Sequence, residues 1–220
     1  MIKIRIIFCL LIALTTGLQA QDKPRFYDDV QTIVKFDKMY APPENPILFI
    51  GSSSIRKWDD LEITFAKYVA MNRGIGGAIT TDIIRYAPDI IFPYNPREIV
   101  IYVGENDLVE KGVTADSMLL RFDRLYTLIR SRLPAIPIVY ISIKPSPSRA
   151  QYFSMAREAN ALIKEYIGNQ KNISFVNIYD DMLDREKQPR KELFVDDMLH
   201  MNKKGYEIWR KALQPYLLKK

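Results

Sequence analysis

Five short runs of apolar, β-branched and aromatic residues recur along the chain: ILFI from Ile47, YVAMN from Tyr68, EIVIYVG from Glu98, IPIVYISI from Ile136 and ISFVNIY from Ile173. None alternates strictly between apolar and polar positions, which is the pattern of strands covered on both faces. Between and after them, apolar residues fall at helical spacing. Met118, Phe122, Leu125, Ile129 and Leu133 form one such set, Met155, Ala159, Leu162 and Tyr166 another, and Tyr206, Trp209 and Leu213 a last. This alternation predicts an α/β protein of three layers, α/β/α, around a five-stranded parallel sheet, because parallel neighbours need crossover connections and those are right-handed. Functional groups in such sheets gather at the carboxyl ends of the strands, where strand order reverses.

No repeat, low-complexity tract or linker divides the remainder of the 220 residues, and 48% hydrophobic with 26% charged residues suits a single globular domain. Residues 1–20, MIKIRIIFCLLIALTTGLQA, place Lys3 and Arg5 before an apolar run and small residues, the layout of a cleavable secretory signal. The only cysteine, Cys9, lies inside that leader, so the mature chain has no disulfide and no thiolate metal site. Residues 21–46 read as an N-terminal extension with some helical spacing in YDDVQTIVKFDKMYA, ended by PPENP, and residues 47–220 as the domain. A leader of this kind predicts a periplasmic or secreted bacterial protein with no stable membrane insertion once it is removed. The net charge of +6 includes Lys3 and Arg5, and the remainder is too small and dispersed to argue for nucleic acid.

Four polar or glycine-rich stretches sit at or beyond expected strand ends: GSSS, NRGIGG, GEND and DDMLH. His200 is the chain's single histidine, so any mechanism that needs an imidazole base must use it. Asp197, three residues earlier, is placed to fix the ring's tautomer, although Asp196, Asp197 or Asn202 would equally serve to cap the last helix. RGIGGAI lacks the third glycine of a dinucleotide fingerprint, and the glycines suit a close backbone approach, a positive φ or a plain turn. Asn106 follows the apolar strand IVIYV, where its amide would be held rigidly at the sheet edge; Asn106 and Asp107 would alternatively cap a turn. Backbone amides at Ser53 and Gly77 with the Asn106 side chain would give acyl transfer three oxyanion donors. One histidine, no mature cysteine and no acidic calcium-type loop leave a metal centre without ligands. There is no Gly-x-Ser-x-Gly elbow of the α/β-hydrolase kind.

Taken in order, the four stretches resemble the blocks of the SGNH, or GDSL-like, esterase superfamily, and they span Phe49 to His200. The family's Gly-Asp-Ser with a following Trp matches Gly51-Ser52-Ser53 with Trp58, which implies Ser53 as nucleophile and leaves Ser52 where the family usually has Asp. Asn-x-Gly-x-x-Gly matches Asn72, Gly74 and Gly77, with Ala78 where an Asp is common. Gly-x-Asn-Asp matches Gly104, Asn106 and Asp107, and Asp-x-x-His matches Asp197 and His200. The resemblance implies a flavodoxin-like SGNH fold of the small acetylhydrolase branch. It also implies a catalytic Ser53, His200 and Asp197, an oxyanion hole of Ser53, Gly77 and Asn106, no cofactor, and a small-molecule or glycan ester as substrate. A lysophospholipase or thioesterase acting on longer chains, and a non-catalytic glycan-binding module, are the alternatives. Ser54 reads as a cap for the helix that follows.

Overall fold

The computed structural model describes residues 23–219; the leader expected over residues 1–20, with Cys9, lies outside the described residues. Five parallel strands, β1 (Ile47–Gly51), β2 (Ala70–Gly74), β3 (Glu98–Tyr102), β4 (Ile138–Ile141) and β5 (Ile173–Val176), pair in the order β2-β1-β3-β4-β5. All five overlap the apolar runs, with β1 and β2 extending past them to Gly51 and Gly74. The second starts two residues late because Val69 takes a left-handed φ of 49° that ends the preceding 3-10 turn. Order reverses between β1 and β3, so these two strands deliver their carboxyl ends to the crevice such sheets use for binding.

Alternate strand residues point to opposite faces, and each face has its own helices. Leu48, Ile50, Ile99, Ile101, Ile138 and Tyr140 pack under α4 (Thr80–Ile90), α5 (Ala115–Arg132) and α6 (Phe153–Gly168). Ile47, Phe49, Val100, Tyr102, Val139 and Ile141 pack under α2 (Ser53–Arg56), α3 (Leu61–Thr64) and α7 (Lys203–Leu213), counting α1 (Tyr27–Met39) as the first helix. α1 lies against α4 and inserts a fully buried Val30 into the first of these clusters. On the second face Trp58 stacks on Tyr206 at 4.8 Å and meets Phe49, Phe65 and Trp209 edge-on. This aromatic cluster packs the turn after β1 onto the sheet, because each large ring buries much apolar surface and pairs with its neighbours in a defined geometry.

Candidate active site

Strand β1 runs directly into α2 through a turn that only glycine can make. Gly51 has φ +138°, and a Cβ there would lie 1.8 Å from the Tyr102 carbonyl oxygen on β3. Ser52 N–H donates to that same carbonyl at 3.0 Å, which anchors the start of α2 to the neighbouring strand. Ser53 is the first residue of α2, and its Oγ lies 2.9 Å from His200 Nε2. Ser52 and Ser54 are fully buried, and their hydroxyls have no hydrogen-bond partner among the described residues. Ser54 therefore lies inside α2 and does not cap it, contrary to expectation.

The second block holds this turn from the other side. Asn72 Nδ2 donates to the Ile55 carbonyl at 2.7 Å, while its Oδ1 accepts from Gly74 N–H at 3.0 Å. A Cβ at Gly74 would sit 2.4 Å from the Arg56 nitrogen, so the glycine permits the close approach of β2 to α2. Gly77 follows with φ +81°. Neither Ser53 N–H nor Gly77 N–H donates to any described residue. Asn106 Nδ2 donates one hydrogen to the Ala78 carbonyl at 3.1 Å, tying the turn after β3 to the Gly77 loop and leaving its second hydrogen free.

Asp107 does not cap its own turn. Its buried carboxylate accepts from Thr80 N–H, at 3.0 Å to Oδ2, and from Arg121 Nη1 at 2.8 Å, so it caps α4 and joins that helix to α5. Burial pushes its pKa up, against the pull of Arg121 and the Thr80 amide.

His200 and Asp197 lie on the segment leading into α7. Asn202 caps that helix, its Oδ1 accepting from Lys204 N–H and Gly205 N–H, which frees Asp197 from capping duty. Asp197 Oδ1 instead accepts from Leu199 N–H at 2.9 Å and His200 N–H at 2.8 Å, and Oδ2 lies 2.6 Å from His200 Nδ1. Partial burial alone would raise the Asp197 pKa, but these hydrogen bonds hold it well below the usual carboxylate range. A carboxylate partner requires a proton on Nδ1, so the lone pair of Nε2 faces the Ser53 hydroxyl. Lys57 Nζ stands 3.3 Å from Nδ1, a proximity of charge and not a hydrogen bond, since that nitrogen's proton is directed to Asp197. Tyr206 on α7 donates to the Ser54 carbonyl at 2.9 Å and so locks the helix that follows His200 to the serine's helix.

Residues 51–208 match the GDSL-like Lipase/Acylhydrolase family. The chain belongs to that family. As a GDSL-like acylhydrolase it is an ester hydrolase. Among solved structures, a Streptococcus pneumonia protein provisionally named for platelet activating factor is 24% identical, with 87% of this chain and 92% of that one covered and a TM-score of 0.76. A GDSL-like lipase from Bacteroides thetaiotaomicron is 22% identical, covering 86% and 97%, with a TM-score of 0.71. A carbohydrate esterase family 3 protein from Talaromyces cellulolyticus is 16% identical, covering 80% and 96%, with a TM-score of 0.62. At these identities the likeness establishes the shared SGNH hydrolase fold. No match was found among curated proteins.

Sequence reasoning missed three features of the surroundings of these candidate site residues. Arg25, ahead of α1, donates to the Gly77 carbonyl at 3.3 Å and approaches Asp82, while the Phe26 ring lies 3.8 Å from where a Gly77 Cβ would be. Glu105 forms a buried ion pair with Lys144. A cavity of about 670 Å³ opens between residues 147–153 and 184–192, lined by Pro147, Phe153, Asp184, Gln188 and Arg190 among others, and neither Ser53 nor His200 borders it. The only advance signal was the loop SIKPSPSR, whose place after β4 marks it as a cleft-lining candidate.

Proposed function

We propose that this protein is an exported serine esterase that removes short acyl groups, acetyl foremost, from hydroxylated acceptors such as carbohydrates. Ser53 attacks the ester carbonyl as His200 Nε2 takes its proton, and Asp197 stabilises the resulting imidazolium. The tetrahedral oxyanion is met by the amides of Ser53 and Gly77 and by the free hydrogen of Asn106 Nδ2. His200 then returns the proton to the departing alcohol and activates the water that releases the acid from Ser53. No cofactor enters the reaction.

The observation that carries this reading is the relay Ser53 Oγ, His200, Asp197, with separations of 2.9 and 2.6 Å. The short acyl group and the carbohydrate acceptor rest on the resemblance to the acetylhydrolase branch. Export rests on the leader sequence. Mass-spectrometric mapping of an organophosphonate adduct on the purified protein tests the chemistry, with the label expected on Ser53. Labelling of another serine, or none, overturns the assignment. Comparing acetyl with octanoyl aryl esters tests the acyl group, with faster turnover expected of the acetyl ester.

A further inference from the structure

Glu105, Lys144 and Ser146 are buried beside the site and take no part in the acyl transfer described above. Glu105 stands between Gly104 and Asn106 on the turn after β3, and Lys144 and Ser146 stand on the segment after β4. The Lys144 ammonium donates to Glu105 Oε2 and the Ser146 hydroxyl to Oε1, while Tyr102 adds a third donor at 3.1 Å. Three residues at the sheet's carboxyl edge, Tyr102, Lys144 and Ser146, thus close around one carboxylate.

The cluster also reaches the histidine. Ser146 Oγ lies 3.4 Å from the Leu199 carbonyl, and Ser148 N–H donates to the Met198 carbonyl at 3.0 Å. Met198 and Leu199 immediately precede His200, and the Leu199 amide is one of the donors that hold Asp197. Burial lowers the Lys144 pKa, opposed by Glu105 and, more weakly, by Asp197, so the buried cation also feels the acid that orients the imidazole. Unbroken contact therefore runs from the turn bearing Asn106, through Glu105 and Ser146, to the turn bearing His200.

Stability alone does not explain such an arrangement, because replacing a buried ion pair by uncharged side chains of similar volume is often neutral or stabilising. Position does: Asn106 and His200 both stand on irregular turns, where displacement by ~1 Å at the reacting groups costs about a hundredfold in rate. We infer that the Glu105–Lys144–Ser146 cluster is a positioning element that holds the Asn106 amide and the His200 imidazole in register across the cleft. The inference rests on the catalytic roles proposed above for those two residues.

Two variants test it, Ser146→Ala and the double variant Glu105→Gln/Lys144→Met, which removes both charges together. Each is expected to stay folded, to lose roughly ten- to a hundredfold in kcat with KM unchanged, and to shift the ring resonances of His200. Because His200 is the chain's only histidine, those NMR signals need no assignment by mutation. If the double variant does not fold, Ser146→Ala decides alone. A folded variant with kcat within about twofold of wild type, or with unmoved His200 resonances, overturns the inference. Ser53→Ala separates this failure from a deeper one: turnover that survives Ser53→Ala removes the serine mechanism itself, whereas turnover lost there but intact in the cluster variants removes only the positioning role.

Discussion

Ser53 sits where β1 ends between β2 and β3, whereas His200 sits on a turn whose nearest ladder is the lone bridge between Phe194 and Met201. The serine side is held largely by main-chain geometry: Gly51 against the Tyr102 carbonyl, Gly74 against the Arg56 nitrogen, and Ser52 N–H on β3. The histidine side is held largely by side chains, namely Asp197 on two amides, Asn202 as helix cap and Tyr206 on Ser54. A β-sheet edge supplies one fixed direction and little else, so the second reactive group has to be brought in by packing. The two sides should accordingly fail differently under mutation. Serine-side changes act where a Cβ is added, and histidine-side changes where a polar side chain is removed.

The largest effect separates the reacting groups from their neighbours. Ser53→Ala or His200→Ala should lower ester turnover by roughly 10⁶-fold in steady-state assays. Ser52→Ala and Ser54→Ala should leave turnover nearly unchanged, since neither hydroxyl is bonded; a dead Ser52→Ala would move the nucleophile. Asp197→Asn should cost about 10⁴-fold by inverting the preferred tautomer of His200. The same variant carries a pH signature. Asp197 has a folded pKa below its unfolded one, so its hydrogen bonds contribute stability that is complete above the unfolded value and lost as pH falls through the folded one. The stability difference between wild type and Asp197→Asn, measured by denaturant titration, should be constant above about pH 5 and shrink below about pH 4.

Smaller effects probe the joints. Asn106→Ala should reduce kcat by about a hundred- to a thousandfold, the usual loss of one oxyanion donor. Tyr206→Phe leaves the Ser54 carbonyl without its donor and should cost about 1–3 kcal/mol of stability, read from thermal unfolding. Its effect on turnover should exceed its effect on KM if the histidine side depends on side-chain packing. Arg25→Ala removes a half-exposed contact to the Gly77 loop and should change stability by less than about 1 kcal/mol, with a few-fold change in turnover at most.

The sheet was legible because each strand is a buried run rich in Val, Ile and aromatics, and only such runs suit a position covered on both faces. The turn after β1 was legible through Trp58, whose ring is buried in the aromatic cluster and whose spacing from Gly51 is therefore constrained. Asn202 and Asp197 stood as rival caps, and the choice between them depended on the left-handed Met198 between Asp197 and the helix. The Glu105–Lys144 pair spans 39 residues and the Asp107–Arg121 pair 14, and no local pattern marks either. Such partners are chosen by how the strands line up, which is a property of the assembled sheet.

The contact of Arg25 and Phe26 with Gly77 has an entropic consequence. Gly76 and Gly77 give the loop between β2 and α4 more backbone freedom than any other pair of residues would, and a donor on a freely moving loop must be ordered whenever substrate arrives. With Arg25 on the Gly77 carbonyl and Phe26 beside it, part of that ordering is completed when the chain folds. The residues just before the first helix thereby move a cost from the binding step to the folding step. A chain shortened past Phe26 is expected to keep its five strands and to leave the ordering of the Gly77 loop to the binding step.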